Sequence, residues 1–150
     1  MPRRRGGYAL NVRGEALWKL DAVNRQADVE VYVRDCPLER ALDWARSSLG
    51  ALRGPFHMDT TTAYQLESGE GAVVFTPSIE DGPFMSVWFN TPSRPWDTDV
   101  ECARAAVAAL ACVVRCDPGE SIPGVSPHSD MWLELDGNGE RVILWDDGDA

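Results

Sequence analysis

The clearest pattern in the chain is an alternation. Val29, Val31 and Val33 alternate with Glu30, Tyr32 and Arg34, the period-two signature of a half-buried strand. The strand stops at Asp35-Cys36-Pro37, where Asp35 or Cys36 suits a helix N-cap and Pro37 suits the first helical turn. The period then changes to that of a helix running to about Leu49. Leu38, Ala41, Leu42, Ala45 and Leu49 line one face, and Glu39, Arg40, Asp43 and Arg46 line the other. Gly50 and then Gly54-Pro55 close the element. Residues 56–67, rich in Thr and carrying Tyr64, favour extended structure, and Ser68-Gly69-Glu70-Gly71 reads as a hairpin loop. Residues 72–76 and 84–90 read as strands around a turn at 78–83, which completes a three-stranded antiparallel meander.

A second helix is marked by a capping box, Thr98 with Glu101, and by Asp99 in the first turn, where the helix dipole favours a carboxylate. Its alanine-rich stretch predicts helix to about Val114, with Cys102, Ala106, Ala109, Leu110 and Val113 near one stripe. Residues 118–130 form a Pro/Gly/Ser-rich loop. Two strands, 131–135 and 142–145, flank the hairpin signal Asp136-Gly137-Asn138-Gly139. At the start, Ala16, Leu17, Leu20 and Val23 predict a short extra helix over 14–26, while residues 1–12 and 146–150 read as loose. The expectation is one α+β domain over residues 1–150. A largely antiparallel sheet of five to six strands carries two main helices on one face, in the order β-α-β-β-β-α-β-β.

Composition narrows what such a domain can do. The formal charge is −10, unevenly spread: residues 1–34 hold seven basic and four acidic side chains, and residues 35–150 hold seven and twenty. An acidic body repels phosphate backbones and argues against nucleic acid, whereas it attracts a basic partner. Acidity also serves plain solubility. Arg3-Arg4-Arg5 is followed by no apolar core of a signal peptide, and no run approaches the roughly 18 apolar residues of a membrane span, so the expected compartment is the cytoplasm. One Lys against thirteen Arg is the codon usage of a GC-rich genome and points to a bacterial source.

Templates for chemistry find little. There is no GxGxxG, no GxxxxGK[ST], no GxSxG and no HExxH. Cys36, Cys102, Cys112 and Cys116 form no CxxC. Cys112 and Cys116 fall four apart in the predicted second helix, and all four read as reduced, mostly buried thiols. His57 and His128 lie outside metal-ligand spacing, so no metal or cofactor is expected. Ser126-Pro127-His128-Ser129-Asp130 could hold a general base, or be a surface loop closed by local hydrogen bonds. Carboxylates crowd two turns: Glu80-Asp81, and Asp97 with Asp99 and Glu101. No catalytic residue is assigned.

Over residues 28–146 the chain resembles the small immunity proteins of bacterial polymorphic-toxin systems. The resemblance rests on the Val29-Glu30-Val31-Tyr32-Val33 strand, the first helix, the Phe84–Asn90 strand, the Asp99–Val114 helix and the terminal hairpin, together with acidity and a lack of enzyme motifs. It implies a non-catalytic protein that neutralises a cognate, basic toxin domain by binding it. The expected contact residues are Glu80, Asp81, Asp97, Asp99 and an exposed Trp96. Two other classes compete. One is an interaction or regulatory module that self-associates through its sheet. The other is a small enzyme or ligand binder whose sheet–helix cleft is lined by His57, Tyr64, Trp88 and His128.

Overall fold

The computed structural model describes residues 28–126 and 129–145. The predicted 14–26 helix, the loose 1–12 segment, the acidic tail and His128 lie outside the described residues.

The valine alternation forms β1 (Asp28–Arg34), followed by α1 (Leu38–Leu49). Next come β2 (Leu52–Met58), β3 (Thr61–Leu66), β4 (Ala72–Thr76) and β5 (Phe84–Asn90). The chain ends with α2 (Asp99–Leu110), β6 (Val114–Cys116), β7 (Met131–Asp136) and β8 (Gly139–Leu144). All eight strands join one sheet, ordered β2-β3-β4-β5-β1-β6-β7-β8, and each neighbouring pair is antiparallel. The class is α+β, as the pattern predicts, but the order of the described elements is β-α-β-β-β-β-α-β-β-β.

Several local expectations are corrected. Residues 56–67 are not one extended run. They hold the end of β2, a turn at Asp59-Thr60, and β3, so the meander has four strands. Gly54-Pro55 does not terminate an element; it lies within β2, where the register shifts between Arg53 and Phe56. A bulge of this kind accommodates a Pro that cannot donate to a ladder. The second helix stops at Leu110, not Val114. Ala111 takes a left-handed conformation (φ 54°) as its C-cap, and Val114 pairs with Val33. β-branched Val113 and Val114 favour the pleated surface once a strand is there to receive them. Cys112 and Cys116 therefore share no helical face: one sits in the turn after α2 and the other in β6. At α1 the cap is Pro37, with no side-chain hydrogen bond, not Asp35 or Cys36.

Both helices pack on one sheet face. Ala41, Leu42, Trp44 and Ala45 of α1, and Val100, Cys102, Ala103, Ala106 and Leu110 of α2, share a core with alternate strand residues Val29, Val31, Val33, Val87 and Phe89. The small residues of α2 let its backbone approach the sheet closely, which burial of Ala103 and Ala106 at 0% exposure requires. On the other face, Tyr32, Phe84, Trp132 and Trp145 form an aromatic cluster in which Tyr32 meets both Trp rings edge-on, at 5.5 and 5.3 Å.

The strand order defines two rims. The upper rim is where β1, β2, β4 and β7 end. It carries the β1–α1 junction, the β2–β3 turn, the β4–β5 connection, the α2–β6 junction and the β7–β8 turn. The lower rim carries the α1–β2, β3–β4, β5–α2 and β6–β7 connections.

Candidate interaction surface

The two rims differ in backbone conformation. Six non-glycine residues have φ between 52° and 58°: Asp35, Asp59, Ser78, Glu80, Asp81 and Ala111. Every one lies in an upper-rim connection. On the lower rim the left-handed positions Gly50, Gly71, Gly119 and Gly124 are all glycine, which adopts that conformation without a Cβ clash. A left-handed L-residue costs about 1–2 kcal/mol, less for Asp, whose short side chain can bond locally. Strain of this kind, held in place by surrounding structure, clusters at functional sites.

Four of the six are acidic, and Asp35, Asp59, Glu80 and Asp81 are all exposed. Among the described residues none of the four makes an ion pair within 4.0 Å. The sheet holds them in a row. Asp59 lies between β2 and β3, Glu80 and Asp81 lie between β4 and β5, and Asp35 lies past β1. At about 4.8 Å per strand, the row spans roughly 17 Å. The β4–β5 connection is braced to β1 because Asp35 N–H donates to Pro83 O at 3.0 Å. Within that connection, residues 78–82 form two consecutive tight turns, closed by Asp81 N–H to Ser78 O and Gly82 N–H to Ile79 O, both 2.9 Å. The row is thus a set of exposed carboxylates carried on a braced backbone.

The residues singled out by sequence are split by this geometry. Glu80 and Asp81 sit on the upper rim. Asp97 and Asp99 follow β5 on the lower rim, about 20 Å away along that strand. Asp97 is exposed. Asp99 serves the sheet itself. Its Oδ1 accepts Glu30 N–H at 3.0 Å, a β1 donor at a position where short β6 provides no partner. Thr98 caps α2 by accepting Glu101 N–H at 3.1 Å, and Glu101 Oε2 accepts Asp97 N–H at 2.8 Å. Trp96 is not exposed. It is 7% accessible and stacks in the core at 4.9 Å from Phe89 and 5.3 Å from Trp44. Burial of so large an apolar ring favours the core position over an exposed one.

Asp35 and Asp59 were missed. Their only signal was an Asp ending a strand where no Gly supplies the turn, since Asp tolerates the left-handed region better than most residues.

The lining of the imagined cleft does not assemble. His57 is exposed on edge strand β2, its Nδ1 3.3 Å from Thr62 Oγ1. Tyr64 is in the core, edge-on to Phe75. Trp88 lies on the opposite sheet face, donating to Asp28 Oδ2 at 3.0 Å. Beside the undescribed 127–128 pair, Ser129 N–H donates to Ser126 O and Met131 N–H to Ser129 Oγ.

The aromatic face holds the most buried charge described. Arg115 is 2% exposed, its guanidinium 4.6 Å from the Phe84 ring centre and 4.7 Å from that of Trp145. Glu134 bridges Arg115 and Arg141 at 2.8 Å each, and Arg141 also binds Asp136 at 2.9 Å. Burial pushes the Glu134 carboxyl up, but the hydrogen bonds and charges of Arg115 and Arg141 outweigh it and hold the group below the usual range. These charges pair with one another across β6, β7 and β8.

No protein-family model, curated protein or solved structure matches this chain. Among the described residues no helix is long and apolar enough to cross a membrane.

Proposed function

We propose that the protein works by binding a basic protein partner through its upper rim, in the manner of an immunity protein that neutralises a cognate bacterial toxin domain. The observation that carries this reading is the row of exposed carboxylates at Asp35, Asp59, Glu80 and Asp81, held in left-handed turns. Exposed charges of one sign speed encounter with a basic surface and discriminate against wrong partners. Net charge of −10 extends the same attraction beyond contact distance.

Affinity capture with the tagged full chain, at low and high salt, tests the reading. One stoichiometric basic protein, released by salt and toxic when produced alone, is the expected outcome. The triple reversal D59K/E80K/D81K weakens its association by roughly tenfold or more, mainly in the on-rate, whereas D97K on the lower rim leaves it unchanged. Equal loss from D97K, or no loss from the triple reversal, removes the upper rim as the binding surface.

One observation favours a second reading, self-association through the sheet edge. Edge strand β8 exposes Val142 at 38% and Leu144 at 55%, the large apolar side chains most open to solvent among the described residues. Among the described residues no strand pairs with its outer edge, and such an edge accepts a further strand. Concentration-dependent mass that V142K/L144K abolishes supports it.

A further inference from the structure

Two of the strained turns on the upper rim each precede a cysteine: Asp35 comes before Cys36 and Ala111 before Cys112. The ladder between β1 and β6 brings these turns together. Val33 pairs with Val114, and Arg34 N–H donates to Val113 O at 2.9 Å, so the next residues along each chain are Asp35-Cys36 and Cys112. The left-handed turn at Asp35 redirects the backbone there, and the Cys36 and Cys112 thiols lie near enough for each to shift the other's titration. Both are half-buried against the edge of the core. Cys102 and Cys116, by contrast, are 0% exposed within it.

The two thiols are not equivalent. Burial raises both, Cys112 to about 11. Arg40 opposes the rise at both, and at Cys36 the Cys112 S–H and the backbone of Ala41 in the first turn of α1 also favour the thiolate. The net shift at Cys36 stays upward, so it is the placement of the two thiols side by side, not an activated thiolate, that favours their joining.

We propose that Cys36 and Cys112 form a juxtaposed dithiol that closes to an intramolecular disulfide by exchange with a low-molecular-weight disulfide. The Cys36 thiolate attacks one sulfur of the reagent, forming a mixed disulfide and expelling one thiolate, which takes up the proton Cys36 released. Cys112 then loses its proton and attacks the Cys36 sulfur, expelling the second reagent thiolate, which is protonated in turn. Two protein S–H groups become one S–S bond, and one reagent disulfide is reduced to two thiols. The closed form ties the β1–α1 junction to the α2–β6 junction.

The test uses the native full-length chain treated with glutathione disulfide, followed by intact mass, thiol counting and peptide mapping. The expected product is lighter by about 2 Da, for two hydrogens lost, with the 36–112 peptide pair linked and Cys102 and Cys116 still free. Phenylarsine oxide, which bridges adjacent dithiols, protects both positions from alkylation. In C112S the glutathione adduct persists on Cys36 instead of resolving. A different linked pair overturns the proposal, as does a stable adduct on the unaltered chain, or four free thiols under conditions that oxidise the urea-unfolded chain. The first measurement needs no variant, so a C112S chain that fails to fold leaves it decisive.

Discussion

Replacing Glu80 by Gly is expected to make the protein more stable while stripping a carboxylate from its proposed binding rim. Glu80 has φ 52° and ψ 36°, with Ser78 and Asp81 also left-handed on either side. An L-residue there costs about 1–2 kcal/mol relative to its ordinary helical conformation. Glycine removes that cost but returns roughly 0.5–1 kcal/mol as extra chain entropy in the unfolded state. The net gain is about 0.5–1 kcal/mol, or about 2–4 °C in Tm for a domain of this size if it reaches the upper figure. Glu80 is exposed and makes no ion pair among the described residues, so losing its charge contributes little to stability. E80A isolates the conformational part, because it removes the same carboxylate and keeps the Cβ. Urea unfolding followed by fluorescence of the six tryptophans measures the three proteins. The expected order of midpoints is E80G above wild type, with E80A level with wild type or slightly below it. An E80G midpoint no higher than that of E80A refutes the claim that the turn is strained. A stabilised E80G that binds the captured partner as tightly as wild type refutes the claim that this carboxylate serves binding.

R115A is expected to destabilise by about 3 kcal/mol in urea unfolding, the low end for breaking a buried pair, because Glu134 keeps Arg141 when Arg115 is lost. W96A is expected to cost about 3–5 kcal/mol, as a core truncation, while leaving partner capture intact in the remaining folded protein; loss of capture with unchanged stability would return Trp96 to the surface role. Stability is also expected to fall with acid. The Glu134 and Glu140 carboxyls titrate lower in the folded chain than their ordinary value, so the unfolded chain binds protons first and their contribution is complete only above the usual carboxylate range. It is lost as pH falls through the lowered folded values, and urea midpoints for E134Q should show a shallower decline over that window than wild type.

Much of the architecture was legible because its signals are local. The valine alternation of β1, the amphipathic period of α1, the Thr98–Glu101 cap and the Gly-Asn-Gly turn between β7 and β8 each depend on residues within a few positions of one another. Failures came where a distant partner decided the outcome. The alanine-rich stretch after Thr98 has no Gly or Pro to end it, yet the helix stops at Leu110 because β1 offers Val113 and Val114 a ladder some 80 residues away in sequence. The Asp59-Thr60 turn had no glycine to announce it, and Trp96 carried no sign that Trp44 and Phe89 would enclose it.

By itself the sequence determined the class of fold, the acidity and the lack of any recognisable catalytic motif, since hydrophobic period, charge and short motifs are properties of neighbouring residues. Tertiary structure alone decided which carboxylates stand together. Strand order put Asp35 and Asp59 on the same rim as Glu80 and Asp81, sent Asp97 and Asp99 to the other, and brought Cys36 to Cys112 across 76 positions of chain. Register and crossover set such distances, and both follow from burying the two faces of one sheet, a constraint no local pattern encodes.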